Sequence, residues 1–505
     1  MLPILNVANN KSKKYVVSFK GINFGEGYEE GEFSDTKNVS TEQFPCVSQR
    51  SGRVSEGTYS SPTSLHAKDG LMVIDGTRVI YRGNHVGNVT AGRKQIATVG
   101  NYILIFPDKA FYNVETGEFG SMEASISGSG MVFTGATITT TGAAFPFRVG
   151  DAVAITGCTS HPENNKTIIV RGVEGKTLTF YENSFTAGTE TGSITLKREV
   201  PDLDFVCESN YRLWGTKGNT IHGSKYGDPF NFNVFDGLTG DSYYIDVGSD
   251  GEFTGCVPYS SHICFFKENT LHKLYGSKPS NFQIVTSQVY GVQAGSERSI
   301  RTINETLFYK GVGGVYAYTG GVPELVSGKF GARRYTNACA ESDGSRYYLS
   351  MQEGGRWHVF VYDVMRSLWV QEDELQCVDM AFHEGCVYFL TAGGDLLRVD
   401  NTAAKGDIEW SVTLCPFTET VNERKGYSKY HLRMDLAAGS WITVEQKRDI
   451  DTAWQEIYTA HSERARTISI PVLPARCDSV EIRLSGKGEC LLRTFIREFF
   501  TGSDV

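Results

Sequence analysis

The sequence predicts an all-β chain built around a β-propeller, because one pattern, two short apolar strands joined by a small turn, recurs seven times. Such a pair is typical of a β-hairpin. From the third copy onward the starts lie 51, 44, 40 and 41 residues apart, and a period of about 40–50 residues is typical of four-stranded propeller blades. We expect six or seven blades, depending on whether residues 1–62 or 283–300 contribute strands. The copies begin at Leu71, Tyr102, Tyr211, His262, Thr306, Arg346 and Val387.

The composition agrees with many short strands joined by tight turns. The chain has 505 residues, of which 55 are Gly and 12% are aromatic. Tyr and Phe suit a pleated, half-buried surface, and Gly supplies the positive φ angle that hairpin turns need. Few segments show an apolar period of 3.6 residues, so helices are not expected. A chain of this length predicts more than one domain.

We divide the chain into five segments. Residues 1–62 read as an extended N-terminal arm, 63–128 as the first part of the propeller, 129–198 as an inserted small β-barrel or sandwich, 199–404 as the second part of the propeller, and 405–505 as a C-terminal β-sandwich. The spacing of 109 residues between the second and third hairpins falls to the repeat period once the insert is removed. Because a loop with adjacent ends carries an extra domain at small entropic cost, the insert belongs in a connection between blades.

Charge and cysteine content limit which binding partners and which cellular compartment are expected for the chain. The formal charge is −9, and the basic face of a sequence-specific nucleic-acid binder is not evident. The basic run Lys11–Lys14 is interpreted as solvated charge. The 11 Cys are scattered through apolar runs without a CxxC pair, which favours free buried thiols and a reducing compartment. Without a secretory signal pattern or an 18-residue apolar stretch, we expect a soluble chain made in a cytoplasm, with no membrane anchor.

No motif predicts a catalytic, cofactor-binding or metal-binding residue, and we expect that the chain is not an enzyme. The segment ESDGSRYY lacks the spacing and the Trp of the Asp-box turns of sialidase-type propellers. Arg333, Arg334 and Arg346 are close in sequence and are interpreted as surface charge rather than as a carboxylate site. The loop Gly248–Phe253 with Asp246 lacks the oxygen-ligand spacing of a calcium loop. The ten His show no zinc-binding spacing.

Three segments carry a resemblance to a known family. NTIHGSKYGDPFNFNVFDG (219–237) and the stretch after it resemble the propeller core of bacteriophage tail hub, or packaged-DNA stabilisation, proteins of short-tailed phages. The arm and the C-terminal sandwich are similar to the corresponding parts of that family, and no single motif among them is diagnostic. The marked positions are Lys225, Gly227, Asp228, Pro229, Phe230, Gly248, Gly251, Phe265, Phe266, Lys267, Tyr275, Gly276, Pro279 and Phe282 in the core, Asp35, Asn38, Pro45 and Arg50 in the arm, and Arg476, Cys477, Asp478, Gly486, Gly488 and Gly502 near the end.

The resemblance implies a structural protein of the virion. Proteins of this kind form a ring, commonly a homohexamer, below the portal and head–tail adaptor. The ring is the nozzle that retains packaged double-stranded DNA and channels it at ejection, without sequence-specific binding, and it anchors tail fibres, spikes or a needle. Assembly would take place in the bacterial host cytoplasm. An extended arm suits a ring, because it can lie across an adjacent subunit and order on assembly.

Two other interpretations stay open. One is a carbohydrate-binding or glycan-cleaving propeller, with exposed Trp or Tyr on one face for stacking on sugars. The other is a cellular scaffold propeller of the tryptophan–aspartate repeat type, which is disfavoured because the repeats lack the recurring Gly-His and Trp-Asp signatures.

Overall fold

The computed structural model describes residues 11–400, 402–403, 407–461, 466–473 and 475–501. The regular structure of these residues is β-strand, apart from four short 3-10 turns, and the prediction of an all-β chain is confirmed. Within these ranges no helix has the length and apolarity to cross a membrane. The turns are Pro162–Asn164, Pro279–Asn281, Glu297–Ser299 and Gly328–Phe330.

The first thirteen strands come before the insert. Five lie in the N-terminal segment: β1 (Lys11–Val16), β2 (Phe33–Lys37), β3 (Val39–Ser40), β4 (Val47–Gln49) and β5 (Gly52–Thr58). The next eight form two hairpin pairs with flanking strands: β6 (Pro62–Ala67), β7 (Leu71–Asp75), β8 (Arg78–Tyr81), β9 (Asn84–Asn88), β10 (Gln95–Val99), β11 (Tyr102–Phe106), β12 (Ala110–Asn113) and β13 (Phe119–Ser121).

The insert contributes eight strands, and the propeller strands then resume. The insert has β14 (Ala124–Gly128), β15 (Met131–Phe133), β16 (Thr137–Thr139), β17 (Ala152–Thr156), β18 (Thr167–Glu174), β19 (Thr177–Phe180), β20 (Gly188–Glu190) and β21 (Ile194–Arg198). The strands that follow it are β22 (Phe205–Ser209), β23 (Arg212–Lys217), β24 (Thr220–Gly223), β25 (Tyr243–Asp246), β26 (Gly255–Tyr259), β27 (His262–Lys267), β28 (Thr270–Tyr275) and β29 (Gln283–Gln288).

The remaining strands complete the propeller and form the C-terminal domain. The propeller strands are β30 (Arg301–Ile303), β31 (Thr306–Gly311), β32 (Gly314–Tyr318), β33 (Glu324–Leu325), β34 (Thr336–Ser342), β35 (Arg346–Glu353), β36 (Arg356–Asp363), β37 (Leu368–Asp373), β38 (Cys377–His383), β39 (Cys386–Thr391) and β40 (Asp395–Asp400). The C-terminal strands are β41 (Glu409–Phe417), β42 (Lys425–Leu436), β43 (Trp441–Arg448), β44 (Gln455–His461), β45 (Arg466–Pro471), β46 (Arg476–Cys477), β47 (Val480–Lys487) and β48 (Cys490–Thr501).

Seven four-stranded antiparallel sheets repeat one meander in the described residues. Six of these blades use four consecutive strands, beginning at β6, β10, β22, β26, β30 and β34, and the seventh joins β38, β39 and β40 to β5. The β-propeller prediction is confirmed, with seven blades. Both segments on which the blade count depended supply a strand: β5 lies in residues 1–62 and β29 in residues 283–300.

The chain divides into two compact units, residues 60–312 and the described residues of 1–59 and 313–505. Within residues 60–312, neighbouring blades pack through both faces of each sheet. Ile103 and Ile105 of β11 join a core cluster with the first blade, while Leu104 and Phe106 join a cluster with the third. Because successive side chains of a strand point to opposite faces, a strand that is buried on both faces must be apolar throughout. This explains the continuous apolar run of the second hairpin.

The insert is one sheet around one core. Its strand order is β14-β21-β17-β18-β19-β16-β15-β20, and its buried side chains form a single cluster that includes Phe133, Phe180 and Phe185. The ring of Phe185 packs edge-on against the other two rings, with centroid distances of 5.2 Å. The first strand begins at Ala124, five residues before the predicted boundary, because Ala124–Gly128 pairs with β21 and not with the second blade.

The C-terminal domain is a sandwich of two sheets in the unit made of residues 1–59 and 313–505. One sheet has the core order β3-β4-β48-β42-β45, and the other has the order β2-β41-β47-β43-β44. The burial of β47 alternates residue by residue, as the sequence pattern predicts. The rings of Phe417 and Phe495 stack across the two sheets at 6.0 Å, so the core lies between the sheets.

The N-terminal segment differs from the predicted arm. Its strands pair within their own chain: β1, β3 and β4 belong to one sandwich sheet, β2 to the other, and β5 to the seventh blade. Four apolar residues are spaced along this segment and could anchor it to another surface; Phe33, Val39 and Val47 are buried, and Phe44 is exposed. The hydrophobic side chains that were expected to lie on a neighbouring subunit therefore already have an intrachain surface. Residues 1–10 are outside the described part.

Arg53 fixes β5 to the rest of its unit. Its guanidinium contacts Glu372 Oε2 at 2.5 Å and Asp373 Oδ2 at 2.6 Å, and it lies 4.4 Å from the centroid of the Phe389 ring. All three charged side chains are mostly buried. Removing one partner from a buried ion pair leaves an uncompensated charge, which costs far more than the loss of an exposed pair.

We therefore expect Arg53→Ala to lower the free energy of unfolding of this unit by about 3–5 kcal/mol, because Glu372 stays buried without a cation and Asp373 keeps only the longer contact with Arg50, at 3.6 Å. Denaturant unfolding followed by tryptophan fluorescence measures the loss. Arg424→Ala is the matched control, since Arg424 and Asp478 form an exposed pair with an expected effect of at most about 1 kcal/mol. Equal effects of the two substitutions would contradict the assigned role of Arg53.

Candidate functional site

The connection between β24 and β25, residues 224–242, contains the motif that carried the family resemblance. It has no regular secondary structure, but its backbone is tied together: Lys225 N–H donates to Asn231 O at 2.7 Å, and Tyr226 N–H donates to Gly240 O at 2.9 Å. Gly227 has a φ angle of +72°, which a residue with a side chain rarely adopts. The segment is therefore an ordered loop that connects two neighbouring strands of the third blade.

Three buried polar side chains, Asp151, Arg198 and Asn231, join this loop to the insert; we call them the anchor node. Arg198 Nη1 donates to Asp151 Oδ2 at 2.7 Å. Asn231 Nδ2 donates to Asp151 Oδ1 at 3.1 Å, and Asn231 Oδ1 accepts from Ala152 N–H at 3.0 Å. Arg198 also donates twice to Met122 O, at 3.1 and 2.7 Å. Both ends of the insert are thus fixed to the propeller by hydrogen bonds that water cannot easily replace.

An aromatic cluster packs beside the anchor node. The ring of Phe230 is buried and contacts Tyr102 and Phe111 of the second blade edge-on, with centroid distances of 4.9 and 5.2 Å. The guanidiniums of Arg148 and Arg198 lie 5.3 and 5.4 Å from the centroid of the same ring. Edge-to-face and cation–π contacts each add stabilisation beyond the burial of area. The sequence GDPF therefore locks insert, second blade and third blade together.

The anchor node leaves an open groove of about 1100 Å³ between the insert and the loop, which we call the insert groove. Tyr181 and Phe235 are largely exposed there, as is Leu238. Phe235 also packs edge-on against exposed Tyr244 at 5.6 Å. Contiguous exposed apolar side chains rimmed by polar groups mark ligand or protein contact sites. The lining residues are Gly150, Thr167, Ile168, Ile169, Tyr181, Glu182, Lys225, Asn233, Val234, Phe235, Asp236, Leu238, Thr239, Gly240 and Asp241.

The insert groove has more negative than positive charge. Its carboxylates are Glu182, Asp236 and Asp241, and its one lysine among the lining residues is Lys225. Partial burial, followed by the negative charges of Asp241 and Glu182, raises the pKa of Asp236. Asp241 is engaged by the Leu238 N–H at 3.0 Å. The groove therefore favours partners that bring basic groups or hydroxyl donors together with apolar or ring surfaces.

The three arginines that are close in sequence do not form a common site. Arg346 pairs with Asp343 and Glu42. The guanidinium of Arg333 lies 3.6 Å from the centroid of the Phe24 ring and 3.9 Å from Glu353. Arg334 is exposed and donates to the backbone oxygen of Arg333. Each guanidinium thus has its own local contacts.

The loop Gly248–Phe253 is held by a histidine and a lysine. Ser249 Oγ is 2.8 Å from His272 Nε2, and His272 Nδ1 is 2.9 Å from Thr286 Oγ1. Lys267 Nζ donates to Ser249 O at 2.7 Å. The nearby Asp246 accepts from Thr220 Oγ1. Across the described ranges no three His, Cys, Asp or Glu side chains come together as metal ligands.

The basic run and the cysteines are parts of the fold. Lys13 pairs with Glu498 at 2.7 Å and Lys14 with Glu419 at 3.6 Å, both from β1. All eleven cysteines are free, and eight of them are buried. Sequence reasoning identified the loop but missed Asp151 and Arg198, whose partners are distant in sequence. Their only signal in the sequence is a charged residue at one end of an apolar strand, Asp151 before β17 and Arg198 at the end of β21.

Comparisons with known proteins give the following likenesses. No protein-family model and no curated protein matches the chain. Among solved structures, BamB from Moraxella catarrhalis is similar with a TM-score of 0.35 at 12% identity, over 70% of this chain and 97% of that one. Hsv2 from Kluyveromyces lactis is similar with a TM-score of 0.26 at 11% identity, over 73% and 99%. An exo-β-1,3-galactanase from Phanerochaete chrysosporium, solved with galactose, has a TM-score of 0.22 at 10% identity, over 57% and 92%. These scores are too low to assign a function.

We expect Asn231→Ala to loosen the insert. The substitution leaves the Ala152 N–H and one oxygen of Asp151 without their partner, and an unsatisfied buried group costs about 1–3 kcal/mol. Hydrogen exchange measured by mass spectrometry should show faster exchange at Ala152 and in residues 224–242, with β7 unchanged. Asn233→Ala, at an exposed position of the same loop, should exchange like the wild type. Unchanged protection in Asn231→Ala would refute the anchor node.

His272 predicts a pH dependence of stability. Burial, reinforced by the positive charge of Lys267, lowers the pKa of His272 from 6.5 to about 4. As the pH falls below 6.5 the unfolded chain takes up this proton and the folded chain does not, so stability is lost between pH 6.5 and pH 4. Thermal unfolding across this range should show a smaller loss in His272→Gln than in the wild type. The exposed His85→Gln should follow the wild type, and identical slopes for all three proteins would contradict the assignment.

Proposed function

We propose that this chain is a structural virion protein, a subunit of the ring that forms the tail hub or nozzle of a short-tailed bacteriophage. In this role the ring retains packaged DNA below the portal and adaptor, channels it at ejection and anchors fibres, spikes or a needle. The proposal goes beyond the fold and takes its starting point from the resemblance described above.

The single observation that carries the proposal is the structural role of the segment 219–237, which resembles the phage family and holds the insert in place. Asp228, Phe230 and Asn231 lie at the centre of the contacts that hold the insert in place. Asn231 Nδ2 donates to Asp228 Oδ2 at 2.6 Å, so the motif is held together by its own hydrogen bond as well as by its contacts with the insert. A subunit that transmits force needs its domains in fixed positions. The contacts of this motif therefore support a mechanical role for the chain.

The insert groove is the part of the surface that suits a subunit contact. A closed ring of identical chains requires head-to-tail interfaces, in which one surface patch meets a different patch of the next copy. The exposed rings of Tyr181 and Phe235 supply apolar area, and Glu182 and Asp236 supply charge for pairing with basic groups. Aromatic residues are enriched at the centres of such interfaces. We assign the groove to the contact between neighbouring copies.

The charge of the chain suits passage of DNA. Phosphate contacts with Lys and Arg supply most of the non-specific affinity for DNA, and this chain has a formal charge of −9. A ring of such chains binds double-stranded DNA weakly and without sequence preference. It then guides the duplex and does not hold it.

We expect the purified chain to form rings, and Tyr181→Ser to weaken them. Loss of one large aromatic contact at an interface centre costs about 2 kcal/mol or more per interface, so the midpoint concentration for assembly should rise at least about tenfold. Light scattering during dilution measures this midpoint. Tyr211→Ser is the matched control because Tyr211 is equally exposed, 63% against 64%, and lies outside the groove. Monomers at all concentrations, or equal effects of the two variants, would count against the proposal.

A second candidate function is glycan binding in the same groove. It is favoured by the exposed rings of Tyr181 and Phe235, which offer stacking faces, beside the carboxylates Glu182 and Asp236, which can accept hydrogen bonds from hydroxyl groups. A glycan array and isothermal titration with cell-wall oligosaccharides separate the two functions. Binding that Tyr181→Ser abolishes, in a chain that stays monomeric, would favour the glycan function over the ring.

A further inference from the structure

A second concave site lies where the turns of the third and fourth blades meet, within residues 60–312. It is a recess of about 200 Å³. Its walls come from the turn between β22 and β23, the turn between β26 and β27, and the connection that follows β28. Four serines and an asparagine line it, so its walls carry many hydrogen-bonding groups: Ser209, Asn210, Ser260, Ser261 and Ser277.

Arg212 also lines this recess, and its side chain is 1% exposed. Its Nη1 donates to Ser224 O at 2.6 Å and to Asp241 O at 2.5 Å, and its Nη2 donates to Thr239 O at 3.1 Å. These three acceptors are neutral carbonyls. They orient the guanidinium without neutralising its charge.

The Nε atom of Arg212 is buried and has no hydrogen-bond partner in the described part of the chain. Nor does a carboxylate of these residues form an ion pair with this guanidinium, since Asp241 acts on it only through longer-range attraction. A buried charge is normally paired, and a buried donor without a partner is destabilising. Burial accordingly lowers the pKa of Arg212. The recess is therefore lined by a positive charge that no carboxylate of the described residues pairs with directly.

Further groups shape the field around the recess. His262 lines it and packs between the rings of Tyr259 and Tyr275, with centroid distances of 5.5 and 4.7 Å. Burial and then the positive charge of Lys273 lower the pKa of His262. On the negative side, Glu208 is engaged by the Tyr211 N–H at 2.8 Å in the turn before Arg212.

We propose that the recess binds a small oxyanion, which the buried charge of Arg212 attracts and to which the serine hydroxyls of the rim donate hydrogen bonds. Hydrogen bonds to an ionised acceptor are about twice as strong as neutral ones. The volume admits a single phosphate, sulfate or carboxylate group and excludes a larger ligand from the depth of the recess. This site is separate from the insert groove and does not depend on the proposed function.

The test measures thermal stabilisation by added anions at constant ionic strength. Phosphate, sulfate and acetate are each titrated against chloride into the full-length chain, and a ligand that binds only the folded state raises Tm saturably. A response to phosphate and sulfate alone identifies a tetrahedral oxyanion, and a response to acetate as well identifies any carboxylate or phosphate. Both results support the site. A shift that grows linearly without saturation, as general salt effects do, overturns it.

Two variants localise the response while leaving Arg212 and the loop that it holds intact. Ser277→Asp places a carboxylate on the exposed rim of the recess that Arg212 also lines, and it should weaken the apparent affinity for phosphate at least about tenfold, while raising Tm without added anion. Ser277→Asn, of the same size and neutral, should keep the wild-type response. Ser261→Asp repeats the test from the opposite turn. A saturable response that survives both Asp variants unchanged would place the anion elsewhere and refute the proposal.

Discussion

The buried ion pair between Asp151 and Arg198, completed by Asn231, is the contact on which the arrangement of residues 60–312 depends. These three side chains come from the residue before β17, the end of β21 and the loop after β24, and they also hold the backbone at Met122 and Ala152. A buried pair contributes little net stability compared with apolar packing, but removing one partner is strongly destabilising. The anchor node therefore acts chiefly by fixing the position of the insert. It makes the insert an extension of the propeller that cannot swing freely.

Much of the fold can be predicted from the sequence because it follows from local patterns. Hairpins such as LMVID–RVIY need only an apolar alternation and a turn, and both are written in consecutive residues. The pairing of β5 with β40 could not be predicted in this way, because the two strands are more than 300 residues apart and β5 is poor in apolar residues. For the same reason the sequence predicts an extended arm for the N-terminal segment. Its anchors Phe33 and Val39 show only that a partner surface exists, and not on which chain that surface lies.

The candidate sites were less predictable than the fold. The sequence shows GDPFNFN only as part of the segment that resembles the phage family. Its structural role depends on Asp151 and Arg198, which lie beside it only in the folded chain. Arg212 is one arginine at the start of a strand, and nothing in its neighbours indicates that three carbonyls and a serine-lined recess converge on it. Both sites are built from loops brought together by blade packing. Such long-range convergence leaves almost no trace in a single sequence.

The structure thus combines rigid β-sheets, a fixed insert and an acidic, aromatic groove, and a ring subunit would use all three. Electron cryo-microscopy of the purified chain tests this account most directly. The account predicts closed rings in which the insert has the same position in every copy and the groove faces the next subunit. Isolated monomers, or particles in which the insert is averaged away while the blades are resolved, would contradict it.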